Sequence, residues 1–327
     1  MIVDPPFRLR SPTWARPVAT LRLGNPFRAA AHCSLLPRGP DSGMEFPRAL
    51  VVLDTETTGA PAGARLLEIG AIKVRGRNVV GRYETLLYPE CPIPSKVTAV
   101  HGIADADVAA APTAAEVLPE FLEWTEGLPI LAHNAPFDAA MLASECARLG
   151  LPLPDNPMYC TLQGARRLWR LPSYSLESLV SELGLPTGRH HRATEDAQHA
   201  LHVYWRLREG SPHPPPRCLL GPGLPVLRFA PERPRLPNSR RFLLDAAQRR
   251  DAVDLSYLLP DGRVAQLRVT PRFFYRRGSL TMMEGLCHDV LFYKSYRLDR
   301  VLAARVQRDA PPVEVRRNGW RGRASAE

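Results

Sequence analysis

The chain has 327 residues and a mass of 36.4 kDa, long enough for two ordinary domains, and 45% of its residues are hydrophobic, enough to build packed cores. Nowhere do roughly 18–20 uncharged apolar residues follow one another, so we exclude a membrane-spanning helix and expect a soluble protein. The six cysteines are scattered and include no Cys-x-x-Cys pair, which argues against a zinc site and against a disulfide-stabilised fold. This cysteine pattern suits the reducing cytoplasm. The net charge of +10 comes mostly from arginine, which suits bidentate phosphate contacts, although a genome rich in Arg codons explains the same bias.

The charge is distributed unevenly and marks the domains. Residues 1–43 are rich in Pro and Arg and carry a net charge of +4, residues 44–216 carry −5, and residues 217–327 carry +11. Met44 stands directly before the first convincing strand, so we expect translation to start there. Prolines crowd residues 210–238, which predicts a semi-rigid, extended linker. The expected order is a disordered leader (1–44), a first domain (45–209), the linker (210–238), a second domain (239–308) and a disordered basic tail (309–327).

Apolar runs and turn signals in the first domain predict alternating strands and helices. The expected strands are Ala49–Leu53, Leu66–Val74, Val79–Leu87, Pro129–Ala132 and the start of Tyr159–Trp169, which then turns helical. The other expected helices are Ala114–Thr125, Pro136–Leu149, Ser175–Leu183 and Thr194–Arg208. Three strands followed by alternating helices and strands indicate an α/β fold with a mixed central sheet.

Acidic residues stand where the predicted structure would aim them at one point. Asp54 and Glu56 follow the first strand at positions i and i+2, so strand periodicity puts both carboxylates on one face. Two carboxylates this close repel each other unless a cation lies between them, and hard ions such as Mg²⁺ and Mn²⁺ take oxygen ligands of this kind. Asp138 and Asp196 each stand in the first turn of a predicted helix, where a carboxylate also simply stabilises the helix dipole. For each of these two residues taken alone, both interpretations stay open.

The ordered set Asp54-x-Glu56, Asp138 and His191-x4-Asp196 resembles the histidine-bearing branch of the DEDD exonuclease superfamily. Within that branch it is similar to the proofreading epsilon subunit of bacterial DNA polymerase III and its relatives. The resemblance covers roughly residues 46–208, and the segments that carry it are Val51–Gly59, Glu68–Gly70, Val100–Ile103, His133–Asp138 and His191–Ala197. It implies a ribonuclease H-like fold, in agreement with the mixed sheet expected above.

The resemblance also implies roles for the five residues. Asp54, Glu56 and Asp196 correspond to the ligands of one divalent metal ion, Mg²⁺ or Mn²⁺. Asp54 and Asp138 correspond to the ligands of a second ion, and two such ions together stabilise the attacking and leaving oxygens of a phosphoryl displacement. His191 corresponds to the general base, a task that suits imidazole because it exchanges a proton near neutral pH.

The implied substrate contacts are Thr57, Asn134 and Phe137. The function expected from the resemblance is a metal-dependent 3′→5′ exonuclease that releases nucleoside monophosphates from single-stranded 3′ ends, with DNA favoured and with DNA replication or repair proteins as further partners. Two alternatives stay open: an exoribonuclease acting on RNA ends or short oligonucleotides, and a ligand-sensing regulator in which the nuclease fold is a docking module. Recognition of the ribose 2′-hydroxyl decides between DNA and RNA, because the chemistry at phosphorus is the same.

The second domain is expected to be small and rich in strands. The expected elements are a helix at Arg240–Gln248, a hairpin turn at Asp261–Gly262, and strands at Ala252–Leu259, Val264–Val269, Leu280–Cys287 and Val301–Val306. Arg268–Arg272 and Lys294–Val301 are similar to segments of the WYL domain, which implies an SH3-like barrel, although Thr281–Met283 replaces the tripeptide that names that family.

Arginines interleave with aromatic residues in this second domain, a pattern that favours binding of single-stranded nucleic acid or a nucleotide ligand. The arginines are Arg272, Arg276, Arg277, Arg297 and Arg300, and the aromatic residues are Phe273, Phe274, Tyr275 and Tyr296. The alternative is that the aromatic residues form the core and the arginines a solvated face.

Overall fold

The computed structural model describes residues 46–186, 188, 191–211 and 219–316, all of which fall within one compact unit, residues 43–327. The expected leader, the start at Met44, residues 212–218 of the expected linker and residues 317–327 of the tail lie outside the described residues. None of the helices in these described ranges combines the length and the apolar composition that crossing a bilayer requires.

A six-stranded mixed sheet forms the larger part of the structure. Its strands are β1 (Ala49–Thr57), β2 (Leu66–Arg75), β3 (Asn78–Leu86), β4 (Ile130–Ala132), β5 (Pro157–Cys160) and β6 (Leu224–Pro225). The strand order is β3-β2-β1-β4-β5-β6, and β1 lies antiparallel to β2 but parallel to β4. This arrangement confirms the expected α/β class with a mixed sheet.

Seven helices accompany this sheet in the described residues: α1 (Ser95–His101), α2 (Asp105–Val108), α3 (Ala114–Thr125), α4 (Pro136–Leu149), α5 (Thr161–Leu168), α6 (Leu176–Glu182) and α7 (Ala193–Gly210). Val51 and Leu53 of β1 pack in one core with α3 and α4, while Leu50 and Val52 pack in a second core with α6 and α7. Because β1 is covered on both faces, its first half is continuously apolar instead of alternating.

Three features differ from the expectations. β1 runs four residues further than predicted, so Asp54 and Glu56 lie within the strand and not after it. The short helices α1 and α2 were not predicted. The proline-rich segment is not a free spacer in its described part, because Val226 is fully buried in the first core and β6 pairs antiparallel with β5. Two residues suffice for this edge pairing, which proline permits.

The C-terminal part is a second, wholly antiparallel sheet. It comprises α8 (Phe242–Arg249), β7 (Ala252–Leu258), β8 (Val264–Arg277), β9 (Leu280–Cys287), β10 (Phe292–Arg297) and β11 (Val301–Gln307), with strand order β10-β9-β8-β7-β11. β10 was not predicted. β8 is more than twice as long as expected, because it continues past Pro271 through a register shift between Pro271 and Phe273. The SH3-like barrel and the likeness to the WYL domain stay predictions.

The two sheets meet across a buried network of alternating charges. Its members are three arginines and three glutamates: Arg65, Glu90, Glu145, Arg148, Arg272 and Glu284. Arg148 on α4 donates from Nε to both carboxylate oxygens of Glu284 on β9, at 3.0 and 3.1 Å. Arg272 on β8 donates to the same carboxylate at 2.7 Å. The helix that carries Asp138 is therefore joined by ion pairs to the C-terminal sheet.

Glu284 forms one of the two ion pairs through which this network crosses between the sheets, and Arg272 with Glu90 forms the other. Burial alone would raise the pKa of the Glu284 carboxyl group, but Arg148, Arg272 and Arg65 outweigh burial and lower that pKa from 4.5 to about 2. Glu284 is therefore ionised in the folded protein, and its charge is needed to balance guanidinium groups that water does not reach.

Substitution of Glu284 tests how much this network contributes. Glu284→Gln leaves two buried guanidinium groups short of their counter-charge, so we expect the free energy of unfolding to fall by about 3–5 kcal/mol. The matched control is Asp254→Asn, because Asp254 pairs with Arg268 on an exposed face of the same sheet, where an ion pair contributes little. Urea denaturation of the full chain measures both variants, and equal losses would contradict a special role for the buried network.

Candidate metal centre

The site lies at the C-terminal end of strand β1. Asp54 and Glu56 share the face of β1 that carries Leu50 and Val52, the face towards α7. On the neighbouring strand β2, Asp54 pairs with Gly70 and Glu56 pairs with Glu68. The two carboxylates therefore lie where the start of α7 reaches the sheet.

Gly70 allows this close approach of α7. A Cβ atom added at Gly70 would lie 2.1 Å from the backbone nitrogen of Thr194 and 2.2 Å from the carbonyl carbon of Ala193, closer than any side chain could tolerate. Glu68 fixes the same segment, because its carboxylate accepts a hydrogen bond from Ala193 N–H at 3.0 Å and from Arg192 Nη2 at 2.7 Å. β2 thus holds the chain directly before Asp196 in place.

His191 and Asp196 come to the site together. The backbone N–H of His191, a residue at φ 62°, donates to Asp196 Oδ2 at 2.9 Å. Glu56, His191 and Asp196 each present one donor atom, and these atoms lie within 4.8 Å of one another, as the ligands of a single ion would. The structure therefore brings His191, expected as the general base, to ligand distance as well.

Asp138 approaches β1 from the opposite side. It lies in the first turn of α4, which begins at Pro136, and it is almost fully buried. Its Oδ1 accepts a hydrogen bond from Thr55 Oγ1 at 2.8 Å. Because Thr55 alternates with Asp54 along β1, Asp138 reaches the site from the α4 face while Asp196 reaches it from the α7 face.

Burial, and for Asp54 and Glu56 also the charge of neighbouring carboxylates, raises pKa values in this cluster. The pKa of Asp54 lies well above its ordinary value because of burial and then because of Asp138, Asp196 and Glu56. Burial, followed by the charges of Asp196 and Glu68, raises the pKa of Glu56 to about 8, and burial raises that of Asp138 to about 7. A set of oxygen donors that destabilise one another's charge fits a hard divalent cation such as Mg²⁺ or Mn²⁺.

The three expected substrate residues lie around these acids. Thr57 ends β1, and its hydroxyl donates to the carbonyl of Gly59 at 2.8 Å. Asn134 is exposed at φ 64°, two residues before α4 begins, and its carbonyl accepts a hydrogen bond from the N–H of Phe137 at 2.9 Å. Phe137 is half-buried beside Asp138 in the first turn of that helix.

Several residues that shape the site were missed. Thr55, Glu68 and Gly70 position the acids through the contacts given above. The one sequence signal was strand alternation: because Thr55 stands between Asp54 and Glu56, its side chain points to the other face of β1.

Two histidines near the site were also missed. His199 Nδ1 lies 3.3 Å from Asp196 Oδ1, a neighbour that the i, i+3 spacing on a helix would have predicted. The ring of His101 is buried near the backbone of Thr57, and that burial lowers its pKa.

The five arginines expected to bind nucleic acid do not form one group. Arg272 lies in the buried network between the sheets, so its guanidinium is occupied by Glu284 and Glu90 and we do not assign it a nucleic-acid contact. Arg297 pairs with Asp299 at 2.6 Å, and Arg276 lies 3.9 Å from Glu232. Arg277 is exposed and Arg300 is half-buried.

The aromatic residues that interleave with these arginines are buried: Phe273, Phe274, Tyr275 and Tyr296. Stacking on a base requires an exposed ring face, so these side chains serve the core, which was the open alternative.

Comparison with known proteins agrees with this geometry. Residues 51–204 match the RNase_T family, described as "Exonuclease". The chain is 37% identical over 161 residues to a "DNA polymerase III PolC-type" protein of Caldanaerobacter subterraneus subsp. tengcongensis, an alignment covering 49% of this chain and 11% of that protein. It is 39% identical over 184 residues to a "DNA polymerase III subunit epsilon-like protein" of Rhodobacter capsulatus, an alignment that covers 53% of this chain and 26% of that protein. The chain thus spans only a minor part of the length of these relatives.

A solved structure, "Exonuclease X in complex with 5' overhanging duplex DNA", is 31% identical over 53% of this chain and 99% of that chain, with a TM-score of 0.41. By sequence, the segment that holds the carboxylates is therefore similar to the DEDD exonucleases of the RNase_T family. Within that class it is similar to the epsilon type of DNA polymerase III.

Gly70→Ala tests whether the close approach of α7 builds the metal centre. The added methyl group would overlap the backbone of Thr194 and displace the start of α7, so we expect Mn²⁺ affinity to fall at least about tenfold and stability to fall by about 1–3 kcal/mol. Gly210→Ala is the control, because its Cβ would meet Leu168 at an ordinary 3.6 Å. Calorimetric titration with Mn²⁺ measures the affinity, and wild-type affinity in Gly70→Ala would contradict the account.

Proposed function

We propose that this chain is a metal-dependent 3′→5′ exonuclease that releases nucleoside 5′-monophosphates from single-stranded 3′ ends. The observation that carries the proposal is the convergence of four acids and one histidine at the end of β1, inside a segment that matches an exonuclease family. DNA is the favoured polymer, and DNA replication or repair proteins are the favoured partners, because the relatives cited above bear the names of DNA polymerase III proteins.

The carboxylates are proposed to hold two ions. Asp54, Glu56 and Asp196 would bind one of them, and Asp54 and Asp138 would bind the other. When bound, a pair of divalent ions supplies positive charge to both the attacking and the leaving oxygen of the scissile phosphodiester. Thr55 keeps Asp138 in position through its hydroxyl, and Gly70 lets Asp196 reach the same point.

His191 is proposed to take the proton from the attacking water. The water oxygen bonds to phosphorus, and the bond from phosphorus to the 3′-oxygen of the penultimate nucleotide breaks. That oxygen takes a proton from a solvent water molecule, which balances the proton that His191 removes. The imidazole is exposed and so can exchange the proton with solvent afterwards, while the hydrogen bond from its backbone N–H to Asp196 fixes the residue beside the acids.

The 3′ end of the bound nucleic acid is proposed to lie between Thr57 and the start of α4. Phe137 is half-buried and offers part of a ring on which the terminal base can stack, and Asn134 is exposed next to it. Thr57, one residue beyond Glu56, places its backbone next to the terminal sugar.

The C-terminal sheet, residues 239–308, is proposed to be an appended WYL-like domain that binds nucleic acid or a ligand. Lys294 and Arg300 line a cavity of about 300 Å³ together with Tyr257 and Tyr296, which supports an anionic ligand there. Arg276 and Arg297 remain candidates for weak phosphate contacts at the surface.

Removal of one metal ligand tests the proposed activity. Asp138→Asn keeps the size of the side chain but removes its charge, so we expect degradation of 5′-labelled single-stranded DNA in Mg²⁺ or Mn²⁺ to fall at least about 10³-fold. Glu123→Gln on the exposed face of α3 is the control. A wild-type protein that binds DNA without any turnover would instead support the docking regulator, and faster degradation of matched RNA would support the exoribonuclease.

Substitution of His191 distinguishes a base from a ligand. If His191 acts as the general base, His191→Gln lowers kcat by about 10²–10⁴-fold and leaves Mn²⁺ affinity unchanged. Single-turnover kinetics and calorimetric Mn²⁺ titration on the same preparation measure the two quantities. A parallel loss of Mn²⁺ affinity would show that His191 is a ligand and that another group takes the proton.

A further inference from the structure

The loop that leaves the metal centre, residues 58–64, connects β1 to β2. Its base is closed by two hydrogen bonds, from Thr58 N–H to the carbonyl of Arg65 and from Arg65 N–H to Thr58 Oγ1, both 2.9 Å. Because it begins two residues after Glu56, this loop borders the cleft in which the 3′ end is proposed to lie.

The hairpin between β8 and β9 packs against this loop. A Cβ atom added at Gly63 would lie 2.6 Å from Tyr275 Oη and 3.0 Å from Arg277 Nη2, so the bare glycine is in contact with both side chains. Ala62 packs against the cluster that contains Tyr275 and Met282. The C-terminal sheet therefore directly abuts a loop of the nuclease centre.

Tyr275 is the fixed part of this contact. Its side chain is fully buried, and its hydroxyl donates to Ser295 Oγ on β10 at 2.9 Å. A ring held in this way cannot move aside for substrate, so it supports the 58–64 loop from behind and presents the end of β8 at the edge of the loop.

Arg277 is the charged part of the contact. Other arginines of β8 have acidic partners: Arg268 pairs with Asp254 at 2.7 Å and Arg272 pairs with Glu284 at 2.7 Å. Within the described ranges, no carboxylate lies at ion-pair distance from Arg277, and its side chain is exposed beside Gly63. A positive charge at this place is therefore available to an anion from outside the protein.

We propose that the β8–β9 hairpin forms one wall of the substrate cleft and that Arg277 binds a backbone phosphate of the strand upstream of the scissile bond. The inference rests on the proposed exonuclease function and adds to it a substrate contact from outside the segment that matches the family. Acidic residues at the metal centre repel a polyanion, and a guanidinium beside Gly63, on the loop that follows β1, would attract the upstream strand through two parallel hydrogen bonds to one phosphate.

The test compares two substrates that differ in upstream phosphates. A single-stranded DNA oligonucleotide has them, whereas the p-nitrophenyl ester of thymidine 5′-monophosphate has only the phosphate that is cleaved. For Arg277→Gln we expect KM for the oligonucleotide to rise about tenfold with kcat little changed, and both constants for the ester to equal those of wild type. The dependence of log KM on log salt concentration should also become shallower by about 0.7–1.

Arg263→Gln is the matched control, because Arg263 is an exposed arginine in the hairpin turn at the other end of β8 and pairs only with Asp261 among the ion pairs of the described residues. Arg277→Lys keeps a point charge and should recover part of the oligonucleotide KM. Equal KM values for Arg277→Gln and Arg263→Gln, or equal losses on both substrates, would overturn the inference. A wild-type protein inactive on both substrates with Mg²⁺ and Mn²⁺ would overturn the proposed function instead.

Discussion

Repulsion among carboxylates held at the end of one buried strand is the constraint on which the site depends. Asp54, Glu56, Asp138 and Asp196 are brought together from three elements. Burial raises the pKa values of Asp54, Glu56 and Asp138, and neighbouring carboxylates raise those of Asp54 and Glu56 further. Such an arrangement is unfavourable unless a cation compensates it. The backbone of β1 and β2 therefore holds a candidate metal site, in which a bound divalent cation would offset the charge of the carboxylates.

The second constraint is the meeting of the two sheets. Equal numbers of arginines and glutamates are buried there, and Arg148 on α4 contributes to this network while Asp138, on the same helix, contributes to the metal centre. α4 therefore contacts the C-terminal sheet at its last turn and the metal centre at its first turn. A second contact, between Gly63 and Tyr275, involves the 58–64 loop. The C-terminal sheet thus packs directly against α4, which carries Asp138, and against the loop that follows β1.

Much of the fold and most of the site could be predicted from local patterns. The bounds of α3, α4 and β9 agree with those expected, because caps, Gly150 and apolar periodicity mark their ends. The resemblance of the ordered motifs to those of the DEDD exonucleases indicated the five central residues. What could not be predicted depends on contacts between residues far apart in the sequence: the burial of Arg272 against Glu90, and the approach of α7 that Gly70 permits. Neither contact produces a periodic pattern in the amino-acid sequence from which it could have been predicted.

The most direct test of the central claim is anomalous X-ray diffraction from crystals of the full chain soaked in Mn²⁺. The account predicts strong anomalous peaks at the end of β1, one between Glu56 and Asp196 and one beside Asp138, both touching Asp54. Manganese bound only elsewhere, or none at this position at millimolar concentration, would contradict it.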